Sequence, residues 1–462
     1  MSQVSSFGAN QDCGLRSPRQ SLASLFLVPA FGFVAVCFLC SVTRSALAED
    51  WNRFRGPTGQ GIAEADLPIE FGLDSAVRWK VPIPGKGWSS PVIADGRIWL
   101  TTAVTEPATE EQRKAKLAGD RMAGMKEVAG SLELSALCID FETGEILKHI
   151  PLAKVSDPDP IHPLNSFASP TPVLDSGKVY CDFGNYGTWC LDAESGEKIW
   201  ERQYVVSYSV GPGSSPLIIG NKLILVCDGT DEQFVVALDK ETGQEVWKTA
   251  RPPKEATDGE YRKSYCSPLE IKVAGQSQVV IPSAQWTCSY DPEVGNEIWR
   301  VDHGRGFSLS SAPIESNGLV LFSTGYMKPE LVAIDPTGSG DVTKTHQKWR
   351  VSRGVPNKPS PIAAGGSVYM ISDKGVLTRL DGATGEVQWQ ERLGGQYSAS
   401  PILASGRIYL SSHEGIVTVV EDGEEYVELA KNEMEPRLMA SPAVVGNELV
   451  IRSEESLYRI GK

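Results

Sequence analysis

Residues 237–247 read Ala-Leu-Asp-Lys-Glu-Thr-Gly-Gln-Glu-Val-Trp, and this phrase decides the fold. Asp239 can accept hydrogen bonds from the backbone of a turn, and Gly243 tolerates the positive φ that a tight turn requires. Trp247 can bury a large flat surface against a neighbouring unit. The same spacing of Asp, Gly and Trp recurs at Cys190–Trp200, Ser289–Trp299 and Arg379–Trp389. The recurrence predicts a repeat protein in which the tryptophans hold adjacent units together.

A second repeated element is a Ser-Pro or Ala-Pro pair that leads into an apolar strand. It begins at Ser90, Ser169, Ser215, Ser267, Ala312, Ser360, Ser400 and Ser441. Most steps between these anchors are 40–52 residues, which is the length of four short strands, whereas the first step is 79 residues and must contain an insertion. Gly-containing turns after the anchors are typical of hairpins. The chain is therefore predicted to be an all-β, eight-bladed β-propeller.

The ends of the chain should complete one blade together. After the last anchor only about three strands fit before Lys462, whereas Ala76–Pro82 has the pattern of a fourth strand. We expect this N-terminal strand to close the ring, because closure removes an open sheet edge. The propeller then covers residues 76–462, preceded by an N-terminal extension at 49–75. Six tryptophans are assigned to blade docking: Trp79, Trp200, Trp247, Trp299, Trp349 and Trp389.

The first 48 residues have the features of a signal peptide. Arg16 and Arg19 precede an apolar run from Leu22 to Val42, and residues 46–48 read Ala-Leu-Ala. We expect cleavage after Ala48, export to the periplasm or cell surface, and no stable membrane insertion afterwards. The alternative is an uncleaved anchor, since the apolar run is about as long as a membrane-spanning helix.

The charge of the mature chain argues against a nucleic-acid partner. The leader contributes +2 to the whole-chain net charge of −14, so the mature chain carries −16. Binding to phosphates requires basic patches. A charged insertion at 105–131 is expected to be helical and to stand above blade 1. Cys181 and Cys190 flank a turn, and a cross-strand disulfide between them is one option that the sequence leaves open.

The two faces of the predicted propeller differ. The turns between first and second strands and between third and fourth strands are short and repetitive, whereas the connections on the opposite face vary from blade to blade. We call this second side the varied face. Its candidate ligand-binding residues are His162, Asn165, Tyr186, Tyr208, Asp228, Asp231, Trp286, Tyr326, Arg353, Asn357, Tyr397 and His413, and its connections also hold Arg262, Phe307 and Lys328. Convergent polar and aromatic groups predict a ligand site, and the alternative is that they only fill and solvate the channel entrance.

The Asp, Gly and Trp phrase resembles the tryptophan-docking repeat of PQQ-dependent alcohol dehydrogenases and of the BamB family of outer-membrane assembly factors. A narrower resemblance is to the PQQ-binding-like β-propeller repeat proteins of planctomycetes and related bacteria. It is carried by Trp51–Pro57, His162–Asn165, Cys227–Asp231 and Gly354–Asn357. The resemblance implies either a scaffold of the cell envelope or an oxidoreductase that uses PQQ with calcium.

The residues favour the first of these functions. Quinoprotein dehydrogenases use an adjacent Cys-Cys pair and carboxylate ligands for Ca²⁺, but this chain has no such pair. Asp228, Asp231 and Asp373 lie on different blades without diagnostic spacing, so we assign no catalytic residue and no metal site. We predict a non-catalytic, monomeric propeller that binds an envelope protein, a peptide or a small ligand. The alternatives are a PQQ-dependent oxidoreductase and a glycan-binding propeller that uses the aromatic rim.

Overall fold

The computed structural model describes residues 50–462, so the predicted signal peptide lies outside the described residues. Residues 50–462 form eight sheets of four antiparallel strands each, and the four strands are consecutive along the chain in all sheets but one. This arrangement confirms the all-β, eight-bladed propeller. We name the strands of each blade a to d from the channel outward. Antiparallel order places the b–c and d–a connections on the varied face, and the a–b and c–d turns on the opposite face.

The first four blades contain the following strands, given in the order a to d. They are Val92–Ala94, Arg97–Pro107, Ala129–Asp140 and Ile146–Ser156 in blade 1; Val173–Asp175, Lys178–Asp182, Thr188–Asp192 and Lys198–Arg202 in blade 2; Leu217–Ile219, Lys222–Asp228, Gln233–Asp239 and Glu245–Ala250 in blade 3; and Leu269–Val273, Gln276–Pro282, Trp286–Tyr290 and Glu297–Asp302 in blade 4.

The last four blades follow the same pattern. They are Ile314–Ser316, Leu319–Ser323, Leu331–Ile334 and Gln347–Val351 in blade 5; Ile362–Ala364, Ser367–Ile371, Val376–Asp381 and Val387–Arg392 in blade 6; Ile402–Ala404, Arg407–Ser411, Ile416–Glu421 and Glu428–Glu433 in blade 7; and Ala443–Val445, Glu448–Arg452, Ser456–Ile460 and Val77–Pro82 in blade 8. Two short strands, Ile62–Ala63 and Gly340–Asp341, add in parallel to strand a of blade 7 and strand d of blade 4.

Strand d of blade 8 comes from the N-terminus, as predicted. Val77–Pro82 pairs antiparallel with Ser456–Ile460, and Lys80 lies opposite Tyr458. The first strand of the propeller therefore closes the ring on the last.

The recurring Asp, Gly and Trp residues form a lock between neighbouring blades. In the turn of blade 3, Asp239 Oδ1 accepts the Thr242 N–H at 2.8 Å, and Gly243 has φ +68°. The indole of Trp200 in blade 2 lies against this glycine, where a Cβ atom would be 2.7 Å from the ring. Trp200 Nε1 also donates to Lys240 O at 2.9 Å. The glycine is needed both for its positive φ and for the space that the neighbouring tryptophan occupies.

Other blade junctions use the same lock or a variant of it. The contact between indole and turn glycine recurs between Trp79 and Gly144, Trp247 and Gly295, and Trp349 and Gly385. Trp79 and Trp247 also donate to a turn carbonyl of the next blade, at 2.9 Å and 3.0 Å, whereas Trp349 Nε1 is buried without a hydrogen-bond partner among the described residues. Trp299 instead donates to Gln278 Oε1 of its own blade at 2.9 Å, and the added strand Gly340–Asp341 pairs beside it. Trp389 donates to Gly423 O at 3.4 Å. Blade 1 has no tryptophan at this position, and Ile150 packs on the turn glycine Gly196 instead.

The anchor residues form hydrogen bonds around the channel. In six junctions the anchor N–H donates to the anchor hydroxyl of the next blade at 2.9–3.0 Å: Ser90 to Thr171, Thr171 to Ser215, Ser215 to Ser267, Ala312 to Ser360, Ser360 to Ser400, and Ser400 to Ser441. The link from blade 4 to blade 5 is absent because Ala312 has no hydroxyl. The predicted anchor Ser169 of blade 2 is wrong by two residues, since Thr171-Pro172 leads into Val173–Asp175.

The N-terminal extension fills the channel, which the sequence did not predict. It binds the innermost strands through five contacts of 2.8–2.9 Å: Ile93 N–H to Trp51 O, Leu174 N–H to Asn52 O, Glu315 N–H to Gln60 Oε1, Leu403 N–H to Gly61 O, and Arg55 Nη2 to Pro361 O. These partners belong to blades 1, 2, 5, 7 and 6. Leu67 and Phe71 are then buried near blades 7 and 8, before the chain enters strand d of blade 8. One segment therefore both plugs the channel and closes the ring.

The insertion in blade 1 is helical only at its tip. The helix covers Glu110–Leu117, with Thr109 and Gln112 forming a capping box, and a 3₁₀ turn covers Ala123–Met125. The flanking residues prolong strands b and c, with Thr105 opposite Leu132. The predicted helix over 105–131 is therefore too long, because hairpin pairing continues well beyond the rest of the blade.

The six described cysteines are buried, free thiols. Cys181 lies opposite Trp189, and Cys190 lies opposite Tyr180. Since Trp189 and Cys190 are consecutive, the two thiols point to opposite faces of the sheet. A disulfide between Cys181 and Cys190 is therefore wrong, and the register is the physical reason.

We expect the mature chain to contain six unreactive thiols. Because the thiols are buried, Ellman's reagent should label none of them in the native protein and all six after unfolding in guanidinium chloride without reductant. Four labelled thiols after unfolding would instead indicate a disulfide.

Replacing the glycine of one blade lock should be more damaging than replacing an open turn glycine. Gly177 has φ +74° with no atom within 4 Å of the place where a Cβ atom would lie, whereas Gly243 faces Trp200. Gly177→Ala should cost about 1–2 kcal/mol for the backbone strain alone. Gly243→Ala should cost about 1–3 kcal/mol more, because the added methyl overpacks the junction. Guanidinium unfolding of both variants measures the difference, and equal losses would contradict the lock.

Candidate functional site

Ten of the twelve candidate residues lie in the b–c or d–a connections of the varied face, while Asp228 ends strand b of blade 3 and Trp286 begins strand c of blade 4 at the same face. The twelve residues do not form one site. Several are buried in contacts between loops, a second group lies around the channel mouth, and a third group is on the exposed rim. The polar atoms that each residue has left unused decide what it can bind.

Asn165 ties two loops together with its whole side chain. Its Nδ2 donates to Val210 O at 2.9 Å and to Pro212 O at 3.0 Å. Its Oδ1 accepts from Ser166 N–H at 2.8 Å and from Ser169 Oγ at 2.6 Å. The amide is saturated, so Asn165 positions the loop between blades 1 and 2 and has no polar atom left for a ligand.

Asp228 is equally committed to an internal partner. Its carboxylate forms two short contacts with Arg251, at 3.0 Å to Nε and 2.8 Å to Nη2, and both side chains are buried. Arg251 also donates to Tyr290 OH at 3.1 Å, which joins blade 3 to blade 4. The neighbouring Tyr208 is buried, and its carbonyl accepts from Tyr265 OH at 2.6 Å. These residues therefore belong to the packed interior of the protein and are not open to a ligand.

Asp182 is a buried carboxyl group on the varied face that the sequence did not identify as unusual. It ends strand b of blade 2, where Thr188 Oγ1 donates to Oδ1 at 2.5 Å and Gly184 N–H donates to Oδ2 at 3.1 Å. Burial raises the pKa of the Asp182 carboxyl to about 6, although both hydrogen bonds act to lower it. Two hydrogen bonds do not compensate for removal of the charge from water, and no sequence motif reveals this burial.

Two histidines lie near the channel mouth. His162 Nδ1 accepts the Leu164 N–H at 3.1 Å, and His413 Nε2 lies 2.8 Å from Ser398 Oγ. Burial lowers the pKa of both imidazoles, and the positive charge of Lys358 lowers it further. Lys358 lies between blades 5 and 6, so connections from distant parts of the chain are within electrostatic range of one another here.

Asn357 and Tyr397 are held by the same aspartate. Asp373 Oδ2 accepts the Asn357 N–H at 2.6 Å, and its backbone carbonyl accepts the Tyr397 N–H at 3.2 Å. The other carboxylate oxygen lies 3.1 Å from Lys358 Nζ. Tyr397 is buried, and burial raises its pKa to about 12. The aspartate is used to order two loops at the mouth.

The remaining candidates lie nearer the rim. Tyr186 OH accepts the Asp159 N–H at 3.0 Å, and Trp286 Nε1 donates to Pro253 O at 3.0 Å. Asp231 is exposed and its Oδ1 accepts the Ser207 N–H at 2.9 Å. Tyr326 and Arg353 are exposed, so their side chains are the most available of the twelve.

A cleft opens between the prolonged b–c hairpin of blade 1 and the connection from blade 1 to blade 2. It has a volume of about 170 Å³, and its walls include Ala103, Val128, Ile161 and Phe167. Lys86 and Glu127 are 3.9 Å apart at its edge. Pockets that enclose drug-sized ligands usually measure about 300–1,000 Å³, so this cleft suits a single side chain better than a cofactor.

The carboxylates of the varied face do not fit a calcium-bound quinone. Ca²⁺ needs about six to eight oxygen ligands that converge on one point. Asp228 is paired with Arg251, Asp373 with Lys358, and Asp231 stands apart on the rim. Within residues 50–462 no group of three His, Cys, Asp or Glu side chains is arranged to hold a metal ion. These side chains therefore support no reaction step through PQQ.

The chain is similar to two kinds of propeller protein. The family of outer membrane protein assembly factor BamB matches residues 73–249 and 285–460. BamB of Alteromonas naphthalenivorans is 23% identical over 261 residues, covering 49% of this chain and 56% of that protein. A 1-butanol dehydrogenase (quinone) of Thauera butanivorans is 25% identical over 144 residues, covering 28% of this chain and 22% of that protein. The alignments thus span little more than half of the first relative and less than a quarter of the second.

Solved structures of both kinds share the fold. BamB from Moraxella catarrhalis superposes with a TM-score of 0.53 and 14% identity, covering 82% of this chain and 95% of that one. A quinohemoprotein alcohol dehydrogenase from Pseudomonas putida HK5 superposes with a TM-score of 0.59 and 11% identity, covering 89% of this chain and 80% of that one. At these identities the likeness concerns the architecture alone.

Replacing Asp182 with its neutral isostere should stabilise the protein above pH 6. The raised pKa means that this group favours the folded state below its ordinary pKa of 3.8, and that this stability is lost as pH rises through about 6. Asp182→Asn should therefore match wild type near pH 4 and exceed it at pH 7.5 by up to about 3 kcal/mol. Urea unfolding at both pH values provides the measurement. A variant that is less stable at pH 7.5 would show that the ionised carboxylate is the favoured form.

Proposed function

Because the chain belongs to the family of outer membrane protein assembly factor BamB, we propose that it is an exported, non-catalytic propeller of the cell envelope that binds a partner on its varied face. This proposal rests on how engaged and exposed side chains are distributed over that face. Asn165 and Asp228 are fully engaged by contacts between loops, whereas aromatic and cationic side chains such as Tyr326 and Arg353 remain exposed on the rim. Loops whose polar groups are hydrogen-bonded to one another supply a rigid support, and exposed aromatic and cationic groups supply binding energy.

The plugged channel supports the same function. A propeller can enclose a small ligand along its axis, but residues 51–63 occupy that position here. Trp51 and Arg55 are almost fully buried within this segment. A ligand then has the rim available, which is wide and open and suits a macromolecule better than a small molecule.

The predicted leader supports placement in the envelope. Within residues 50–462, none of the helices has the length and apolar character that crossing a bilayer requires. We propose that the leader exports the chain and that the mature protein is a monomer in the periplasm or on the cell surface. Edman sequencing of protein secreted by the native cell should begin at Glu49 if cleavage follows Ala48.

A PQQ-dependent oxidoreductase is the second candidate. It is favoured by the similarity of part of the chain to a 1-butanol dehydrogenase (quinone) and by the shared fold of the solved dehydrogenase. The scattered and internally paired carboxylates weigh against it.

Titration with PQQ separates the two candidates. We expect mature protein in 1 mM CaCl₂, roughly the concentration that weak extracellular sites require, to show no saturable change in quinone absorbance and no 1-butanol-dependent dye reduction. A PQQ dehydrogenase reconstituted in parallel serves as the positive control. Saturable binding with alcohol-dependent turnover would show that the protein is an enzyme, and Asp373→Asn and Asp228→Asn would then identify the carboxylate that carries it.

A further inference from the structure

Three loops of the varied face bring their aromatic side chains together in the open. The rings of Tyr261 and Phe307 are 4.8 Å apart, and those of Phe307 and Tyr326 are 5.7 Å apart. Tyr261 is 48% exposed, Tyr326 is 53% exposed, and the adjacent Met327 is 70% exposed. We call these four residues the aromatic cluster. They come from the connections before blade 4, before blade 5 and within blade 5, so only the folded ring assembles them.

The cluster is held in place by its backbone. Tyr326 N–H donates to Phe307 O at 2.8 Å, and Ser308 N–H donates to Lys263 O at 2.8 Å. The loops approach so closely that a Cβ atom on Gly306 would lie 1.8 Å from Thr324 O. Met327 has φ +83°, a conformation that a residue with a side chain rarely adopts. Exposed apolar groups on ordered, partly strained loops are typical of a binding surface rather than of a mobile surface loop.

Each loop also carries a cation with no acidic partner. Arg262 follows Tyr261, Arg305 precedes Phe307 by two residues, and Lys328 follows Met327. Among residues 50–462 no carboxylate lies within 4.0 Å of any of these three side chains. Three nearby acids are engaged by other cations: Glu260 by Lys263, Asp258 by Arg121, and Glu330 by Arg350. Asp302, three residues before Arg305, accepts the Gly304 N–H at 2.8 Å.

What distinguishes these charges is their grouping. Other cations such as Lys344 and Lys374 also have no acidic partner among the described residues, but these three flank one aromatic cluster in a mature chain that carries −16. Unpaired cations around an apolar centre attract a partner with acidic groups around an apolar contact. The two features therefore describe a single surface with an apolar centre and a positive rim.

We propose that the aromatic cluster and its three cations form the docking surface for an acidic polypeptide with apolar side chains, which specifies the partner of the function proposed above and rests on it. Tyr, Met and Arg are the residues that protein interfaces favour. The rings meet edge to face, at 82° and 80°, so they leave notches for side chains rather than one flat platform for a sugar ring. The flexible side chain of Met327 can adapt to a peptide.

Selection from a random 12-residue peptide display library, a length of roughly 40 Å when extended, tests the proposal on the mature protein. We expect the enriched peptides to combine Asp or Glu with aromatic or aliphatic residues, and to bind less tightly as salt is raised. Binding of the enriched peptides should fall at least about 10-fold in Arg305→Glu/Lys328→Glu and in Tyr326→Ala/Met327→Ala, because each variant removes one half of the surface. The affinities can be measured by fluorescence anisotropy.

Matched variants on the opposite face provide the controls. Lys344 is exposed and unpaired within the described residues, and Val294 is 56% exposed in a c–d turn. Lys344→Glu reverses one charge, as Arg305→Glu alone does, and Val294→Ala removes exposed apolar area, and both should alter the affinities less than about 2-fold. Thermal unfolding of all four variants shows whether each one is folded. If the double charge reversal unfolds, Arg305→Glu alone replaces it and should weaken binding at least about 3-fold.

Several results would overturn the proposal. These are basic or uncharged enriched peptides, no enrichment at all, or enriched peptides that bind the cluster variants as tightly as wild type. Alginate or dextran sulfate that binds the cluster while acidic peptides do not would assign the surface to an anionic polysaccharide. None of these results depends on PQQ, so failure here is distinct from the quinone binding and turnover that would overturn the non-catalytic function.

Discussion

The contact between a tryptophan and the turn glycine of the next blade is the constraint on which this structure depends. Each blade is a small twisted sheet that cannot bury its faces alone, and its hydrophobic residues cluster with those of its neighbour. The indole of Trp200 reaches Lys240 O only because Gly243 has no side chain in its path. The same small turn therefore fixes both the end of one blade and the distance to the next. Where blade 1 lacks the tryptophan, Ile150 fills the space above Gly196.

A ring built from such contacts must still be closed, and the N-terminal segment does this in two places. It supplies strand d of blade 8, and it also enters the channel to bind the innermost strands of five blades. These two roles are coupled because the intervening residues, including Leu67 and Phe71, are buried near the same junction. The channel is consequently part of the core. Binding is left to the connections of the varied face, which the ring holds at fixed distances from one another.

Local chemistry explains which features the sequence predicts. The Asp, Gly and Trp phrase is predictable because one turn contains all its chemistry. Blade 2 shows where local chemistry is insufficient. Ser169-Pro170 and Thr171-Pro172 are equally good anchors locally, and the hydrogen bonds of Thr171 with Ser90 and Ser215 in the neighbouring blades select the second. The residue opposite Cys181 depends on a register that a slip of one position would change. Tyr261 is not predictable as part of a site, because the other two rings lie 46 and 65 residues away and nothing local marks it as exposed beside them.

The distribution of unused polar atoms explains how one face can serve both structure and recognition. Loops of blades 1 to 3 use their polar groups on each other, as Asn165 and Asp228 do. Opening such a site to a ligand would leave buried donors and acceptors unsatisfied, which is costly. The loops that carry the aromatic cluster are instead tied to one another by backbone hydrogen bonds, and Tyr261, Tyr326 and Met327 keep their side chains largely exposed. A partner can therefore bind the aromatic cluster without breaking an internal contact. In the binding proposed above, charge would bring an acidic partner to the rim, and the fit to Tyr326 and Met327 would decide which partner stays.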